Sequence, residues 1–313
     1  MAEALHARGL GRRYHWRGGF HDALVGVDLT VPSGCVLGLI GRNGAGKTTF
    51  VRVSSTSLLP TSGSLEVLGL DVVTQADEVR ERIAVIPQES RPLYWMTPLE
   101  LVSYYLRLRG APVREARARA KDALAQLEIS KWGDTQVNRL SGGLRRRSMV
   151  AMVMASDAEV LFLDEPTTGL DPLARRSVWE AIRKASRERR TVFLTTHYLE
   201  EAENLSDRLA VLEGGHLLAQ GTPEEIASRV QYPYRVTVES GFRREDLAPY
   251  GPVSQIGSRW LLFTSEAPAR ELSRKALEKG ARISLGPVSL EDIFVQIVGK
   301  EIEAEEVGED AAT

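Results

Sequence analysis

The 313 residues are 43% hydrophobic and 26% charged, the balance of a globular chain with apolar mass for one large domain and a smaller one. A net charge of −2 excludes a surface built throughout for polyanions. The single cysteine excludes a disulfide framework and a cysteine-rich metal site.

Along the chain, "MAEALHARGL" has no apolar signal-peptide core, and no later stretch reaches the roughly 18 uncharged apolar residues of a spanning helix. A soluble protein is expected, one that meets a membrane only through a partner. "ALVGVDLTV" alternates apolar and polar residues from Val25 to Val31 and predicts a strand, which "PSG" at 32–34 turns. Next comes "CVLGLI", continuously apolar as in a strand buried on both faces, with Cys35 expected as a small core residue.

"GRNGAGKTT" at 41–49 follows that strand and opens a helix. It matches GxxxxGK[ST] at Gly41, Gly46, Lys47 and Thr48, with Asn43, Gly44, Ala45 and Thr49 completing the loop. Glycines let backbone N–H groups converge on phosphates, Lys47 supplies a mobile cation, and the Thr48 hydroxyl suits Mg²⁺. A phosphate loop alone leaves kinases, GTPases and many ATPases open.

From about Gln88 to Arg139 the pattern turns helical. "TPLELVSYYLRLRG" has Thr97 as N-cap, Pro98 at the first helical position, Glu100 completing a capping box and Gly110 as terminator; a second helix is predicted over 113–128. Tyr94, Trp95, Met96, Tyr104 and Tyr105 gather in this insert, as core residues or as a groove for a partner's helix.

"NRLSGGLRRRSM" at 138–149 sets Ser141, Gly142 and Gly143 ahead of three arginines, which by themselves fit a nucleic-acid patch or a phosphate cradle equally. "EVLFLDEP" ends a buried strand on Asp164, suited to a Mg²⁺ hydration shell, with Glu165 beside it to polarise water. "TVFLTT" is a further buried strand, and the helical stretch between the two gives the alternation of a parallel sheet. "RLAVLEGGHLLAQG" reads as a hairpin on Gly214-Gly215.

Composition changes after "SRVQYPYR". The following order, strand, helix, two strands, helix, strand and a last helix in "LEDIFVQIVG", predicts a small α+β, ferredoxin-like domain over 234–300. Residues 301–313 are acidic and poor in large apolar groups, and are expected as a solvated tail.

In this order, GRNGAGKTT, Gln88 in "VIPQES", "LSGGLRRR", "VLFLDEP", "GLDP" and His197 in "TTHYLEEAE" resemble the nucleotide-binding domain of ATP-binding cassette (ABC) transporters over about residues 3–228. "PTSGSLEVLG" and "SLEDIFVQIVG" are also similar to drug and lipid exporters paired with ABC-2 type permeases. The resemblance implies an α/β P-loop ATPase domain over 1–229 with its helical subdomain at about 89–145. ATP and Mg²⁺ are the implied cofactors.

It also implies roles. Ser141, Gly142 and Gly143 would grip the γ-phosphate of ATP held by an opposite subunit, so two chains, a homodimer or a paired cassette, would form two composite sites. Gln88 would ligate Mg²⁺ and water, His197 would contact the γ-phosphate, and Asp171 would cross to the partner's site. Tyr14 is the candidate to stack on adenine, although "HWRGGFHD" is longer than the family's usual spacing and leaves Trp16 and Phe20 open as substitutes. Leu144 departs from the family's glutamine. Arg145, Arg146 and Arg147 are then expected as a solvated or ion-paired helix face, with no nucleic acid bound. A separate permease would dock near residues 89–106, holding the chain on the inner face of the cell membrane.

The implied function is ATP hydrolysis that powers transport, with export favoured. A second reading, a family ATPase acting in DNA repair or on ribosomes, calls for a long coiled coil, a second cassette or a cysteine zinc site, and the sequence has none of these.

Overall fold

The computed structural model describes residues 2–16, 18–89, 92–228 and 230–297. Its contacts divide the chain into two compact units, separated in sequence between Gln220 and Gly221.

In the first unit β1 (Glu3–Trp16) and β2 (Gly19–Pro32) pair antiparallel along their length. β3 (Val36–Ile40) is buried at every position and runs into the glycine-rich loop and α1 (Lys47–Ser54). β4 (Ser62–Val67) and β5 (Leu70–Asp71) complete a four-stranded sheet ordered β2-β1-β4-β5. β1 escapes an alternation test because register shifts between Ala7 and Leu10 and again between Leu10 and Arg12 interrupt its period of two.

α2 (Ala76–Arg82) leads into β6 (Ile83–Ile86), after which α3 (Pro98–Leu108), α4 (Val113–Gln126) and α5 (Gly142–Met154) form the helical part of the unit. The capping box of α3 is present in full: Thr97 Oγ1 accepts from Glu100 N, and the Glu100 carboxylate accepts from Thr97 N at 2.9 Å. α4 ends two residues before the predicted limit.

β7 (Val160–Asp164), α6 (Pro172–Arg187), β8 (Thr191–Thr196), α7 (Leu199–Leu205), β9 (Arg208–Glu213) and β10 (His216–Gly221) follow. They join β3 and β6 in a six-stranded sheet ordered β10-β9-β3-β8-β7-β6. β3 is parallel to β8 and β9, and β7 is parallel to β6 and β8. β3, β7 and β8 have no exposed position, which is why β3 and the first four residues of β7 read as unbroken apolar runs, while β8 also buries Thr191, Thr195 and Thr196. Phe162 and Phe193 stack with ring centroids 4.8 Å apart.

Four adjacent parallel strands, β3, β8, β7 and β6, therefore release their C-terminal ends at one edge. The loops leaving them carry the phosphate loop, His197, Glu165 and Gln88. That edge is where an open parallel sheet presents a crevice.

In the second unit a short α8 (Pro223–Ala227) precedes β11 (Tyr234–Val238), α9 (Arg244–Leu247), β12 (Val253–Ile256), β13 (Arg259–Thr264), α10 (Glu266–Lys279) and β14 (Ile283–Pro287). The sheet is antiparallel with order β12-β13-β11-β14, the βαββαβ arrangement of a ferredoxin-like unit. Val236, Val238, Leu247, Leu262 and Leu272 form its core. Residues 290–297 are helical, within the last predicted helix; the rest of that helix and the tail at 301–313 lie outside the described residues.

Cys35 is only half-buried, packed at the margin of the core rather than inside it, with its thiol donating to Pro32 O at 3.1 Å. Burial, with the Asp207 carboxylate adding to it, pushes the thiol up to about 11. A raised pKa leaves less thiolate at neutral pH. Iodoacetamide at pH 8 should therefore alkylate the native protein at least about tenfold more slowly than the denatured chain, the native rate rising about tenfold per pH unit toward pH 10. Equal native and denatured rates at pH 8 would contradict this reading of the site.

Candidate functional site

The phosphate loop is shaped by backbone packing. A Cβ on Gly41 would lie 2.2 Å from Leu212 O, and Gly46 sits at φ 104° with a Cβ position 2.4 Å from Ala23 O. Neither place accepts a side chain. α1 thus opens on a residue with no side chain to cap it, leaving first-turn N–H groups oriented for an anion.

Lys47 is buried and its Nζ donates to Gly41 O at 2.8 Å and Arg42 O at 2.9 Å, so the cation lies folded over the loop it serves. Burial lowers its pKa, opposed by the carboxylates of Glu165 and Asp164. The Thr48 hydroxyl donates to Asp164 Oδ1 at 3.3 Å and stands 3.4 Å from Gln88 Oε1. These three oxygens, from the first turn of α1, the end of β7 and the segment after β6, make a hard donor set of the kind Mg²⁺ takes. Among the described residues no group of three or more His, Cys, Asp or Glu converges, so the hydroxyl and the amide oxygen are part of this set.

Glu165 is buried, and its backbone is left-handed at φ 49°, a conformation that costs a non-glycine residue about 1 kcal/mol or more. Its N–H donates to Thr195 O and Oγ1, at 3.1 and 3.0 Å. Its carboxylate accepts from Thr168 Oγ1 at 3.1 Å and lies 3.3 Å from His197 Nδ1. Thr195 is opposite Asp164 in the β7–β8 register and its hydroxyl also donates to Asp164 Oδ1. Sequence reading passed over Thr195 and Thr168. Thr195 had a signal: with Thr196 it makes a pair of hydroxyls closing a strand that is buried throughout.

A cleft of about 260 Å³ is lined by Tyr14, Asn43, Lys47, Thr48, Gln88 and Glu165, with Gly44, Gly46, Thr49 and His21 also on its wall. Tyr14 Oη is 3.4 Å from Thr49 Oγ1, and Arg12 lies over the Tyr14 ring at 4.9 Å. Trp16 and Phe20 are more than half exposed and neither lines the cleft. His21, which sequence reading missed, is the second ring there, opposite Tyr14 in the hairpin register. Ala45 is buried behind the loop.

The signature residues do not join this cleft. Ser141 caps α5, accepting from Leu144 N at 3.3 Å, while Gly142 lines a second depression with Tyr94, Arg145 and Thr168, which Gln88 and Glu165 border from the other side. Gly143 is the second residue of the same helix, and Leu144 packs partly buried against the core. Asp171 caps α6, accepting from Leu173 N at 3.0 Å and Ala174 N at 2.9 Å.

The three arginines do not form a solvated helix face. All are partly buried and bind main-chain carbonyls: Arg145 those of Val137 and Asn138, Arg147 that of Leu127, and Arg146 those of Asp164, Glu165 and Pro166. Charge patterning treats a basic run as surface, but guanidinium groups with carbonyl partners can be buried.

Tyr94, Trp95, Met96, Tyr104 and Tyr105 do not share one place. Trp95, Met96 and Tyr104 line a groove of about 440 Å³ with Leu99 and Val113. Tyr94 lies under Arg145 and Tyr105 against Arg109.

The family model described as ABC transporter matches residues 24–168. The chain is 44% identical to the daunorubicin resistance ATP-binding protein DrrA3 of Streptomyces coeruleorubidus, over 71% of this chain and 69% of that one. It is 37% identical to DrrA2 of the same organism, over 98% and 99%. The Nod factor export ATP-binding protein I of Rhizobium etli is 35% identical, over 88% and 89%. Among solved structures, a dimeric ATP-binding cassette bound to ADP and Pi aligns with TM-score 0.66 at 23% identity, over 70% of this chain and 98% of that one. cbiO1 of Clostridium perfringens, part of an ABC transporter complex, aligns with TM-score 0.63 at 26% identity, over 73% and 92%.

Replacing Lys47 by Ala removes the cation at the loop. Affinity for a fluorescent ATP analogue should fall by at least about tenfold, the worth of a charge-assisted bond, with the thermal midpoint little changed. Undiminished affinity would remove Lys47 from the phosphate site.

Proposed function

Since the chain belongs to the family of ABC transporter ATP-binding proteins and is the ATP-hydrolysing subunit of such a transporter, we propose that two copies pair head to tail and drive a separate export permease. The observation that carries this reading is the split site. Lys47, Thr48, Gln88, Asp164, Glu165 and His197 converge at one sheet edge, while Ser141, Gly142 and Gly143, at the N-terminus of α5, line no part of the cleft over the phosphate loop, Gly142 facing instead a neighbouring depression that Gln88 and Glu165 also line. A helix N-terminus suits the γ-phosphate of ATP held by a second copy.

Thr48, Gln88 and Asp164 would hold Mg²⁺, which when bound neutralises charge on the β- and γ-phosphates. Glu165 orients and polarises the attacking water. His197, 3.3 Å from that carboxylate, contacts the γ-phosphate and fixes the geometry of the pair. Tyr14 stacks on adenine, and Asn43, Gly44, Ala45, Gly46 and Thr49 wrap the phosphates. Binding of two ATP molecules closes the pair, and hydrolysis reopens it. Asp171 reaches toward the partner's site.

In this reading the ATPase domain spans 1–229, reaching past the Gln220–Gly221 boundary between the compact units to include α8, and the accessory domain spans 234–300 and lengthens the contact between subunits. Among the described residues no helix is long and apolar enough to cross a membrane, and peripheral attachment at the inner face through the permease follows from the pairing proposed. The groove at Trp95, which is two-thirds exposed, takes a short permease helix. The names of the relatives, daunorubicin resistance and Nod factor export, support export as the direction.

Light scattering of the Glu165→Gln protein tests the pairing. A monomer without nucleotide or with ADP, and a dimer with Mg-ATP, is the expected pattern; undiminished turnover in this variant would remove Glu165 from its role, and a monomer saturated with ATP would remove the pairing. Trp95→Glu should abolish permease-dependent transport while basal hydrolysis stays within about twofold, as for an exposed side chain remote from the cleft. Equal loss of both activities would sink the docking role.

A further inference from the structure

Arg146 stands in α5, yet its guanidinium leaves that helix to bind the main chain of two catalytic loops. It donates to Asp164 O at 2.6 Å, Glu165 O at 2.7 Å and Pro166 O at 3.1 Å, where β7 ends. It also donates to Pro87 O at 3.2 Å and Gln88 O at 3.4 Å, where the chain leaves β6. The fixed planar fork of arginine can serve several carbonyls at once, which a lysine ammonium cannot reproduce.

Two features separate this contact from ordinary packing. First, the carbonyls belong to Asp164, Glu165 and Gln88, and Glu165 is left-handed. Such backbone persists only where its surroundings over-determine it, and Arg146 binds the carbonyls on both sides of that residue's N–H. Second, Arg190 offers a comparison within the molecule. It too is a partly buried guanidinium bound to carbonyls, those of Ala158 and Met154, but it touches no residue of the cleft.

We propose that Arg146 is a positioning residue for hydrolysis: it holds the left-handed backbone that aims the Glu165 carboxylate and ties it to the Gln88 loop and to α5. The inference rests on the function proposed above. Its consequence is directional. Movement of α5, as Ser141 and the two glycines close on the partner's phosphate, is transmitted through one side chain to both Glu165 and Gln88 of the same chain. Each site then senses whether the other is closed.

The test is basal Mg-ATP hydrolysis by the full chain carrying Arg146→Gln, Arg146→Lys, Arg190→Gln or Glu165→Gln, with nucleotide affinity measured in parallel. Arg146→Gln is expected to lower kcat by at least thirtyfold while affinity for a fluorescent ATP analogue changes less than threefold. Arg146→Lys should recover only part of the loss. In single-turnover assays, adding Arg146→Gln to Glu165→Gln should produce no further fall, because the first acts through the second. Arg190→Gln should lose thermal stability and keep kcat.

Several results overturn the proposal: Arg146→Gln with unchanged kcat, an equal loss of kcat and affinity, full recovery by lysine, or additive losses in the double variant. An Arg146→Gln protein that behaves like Arg190→Gln, or failure of both Arg146 variants to fold, assigns the residue to the fold alone. The outcomes also separate this inference from the reading beneath it. Turnover surviving in Glu165→Gln undoes the proposed function, whereas a silent Arg146→Gln beside an inactive Glu165→Gln undoes only this step.

Discussion

Two carboxylates are held beside two cations at the end of one buried strand, and the rest of the ATPase unit is arranged around them. Asp164 and Glu165 lie where β7 leaves the sheet, with Lys47 reaching from the phosphate loop and Arg146 from α5. Burial lowers the pKa of both cations, and the carboxylates oppose that shift. Unpaired, any of these charges would cost several kcal/mol in a low-dielectric interior. Together with the hydroxyls of Thr48, Thr195 and Thr168 they form a set that tolerates burial.

The apolar sheet makes this placement rigid. β3, β8, β7 and β6 are parallel neighbours, so their C-terminal ends fall on one edge whatever the lengths of the helices between them. Nearly all of their side chains serve packing, and polar residues begin where the strands stop. A second layer of buried polar contacts supports the loops: Glu201, fully buried on α7, accepts from Thr167 Oγ1 at 3.0 Å and Trp179 Nε1 at 2.9 Å, joining the segment after His197 to that after Glu165. Burial pushes the Glu201 pKa up, and the three hydrogen bonds offered by Thr196, Thr167 and Trp179 counter it.

Leu144 also finds an explanation in packing. Where the family carries a glutamine, this chain places an apolar side chain that joins the core beneath α5. The N-cap at Ser141 does not depend on it, since Leu144 contributes only its backbone N–H. The signature helix can therefore start in the same place with a different anchor.

Much of this could be read along the chain because it rests on neighbours in sequence. An unbroken apolar run announces a strand buried on both faces, a glycine-rich loop announces a bend that admits no Cβ, and Thr97, Pro98 and Glu100 announce a helix start through bonds between residues three apart. The βαββαβ order of the smaller unit was legible for the same reason. Contacts across long separations were not. Arg146 meets Asp164 and Gln88 only after the sheet has formed, so three arginines in a row looked like surface; Thr195 acquires its part through a cross-strand register; and His21 rather than Trp16 or Phe20 faces the cleft because the hairpin register sets its direction. Local bonding patterns are written in residue spacing, whereas the partners of a buried charge are chosen by folding, which alone decides which distant carbonyls and hydroxyls arrive beside it.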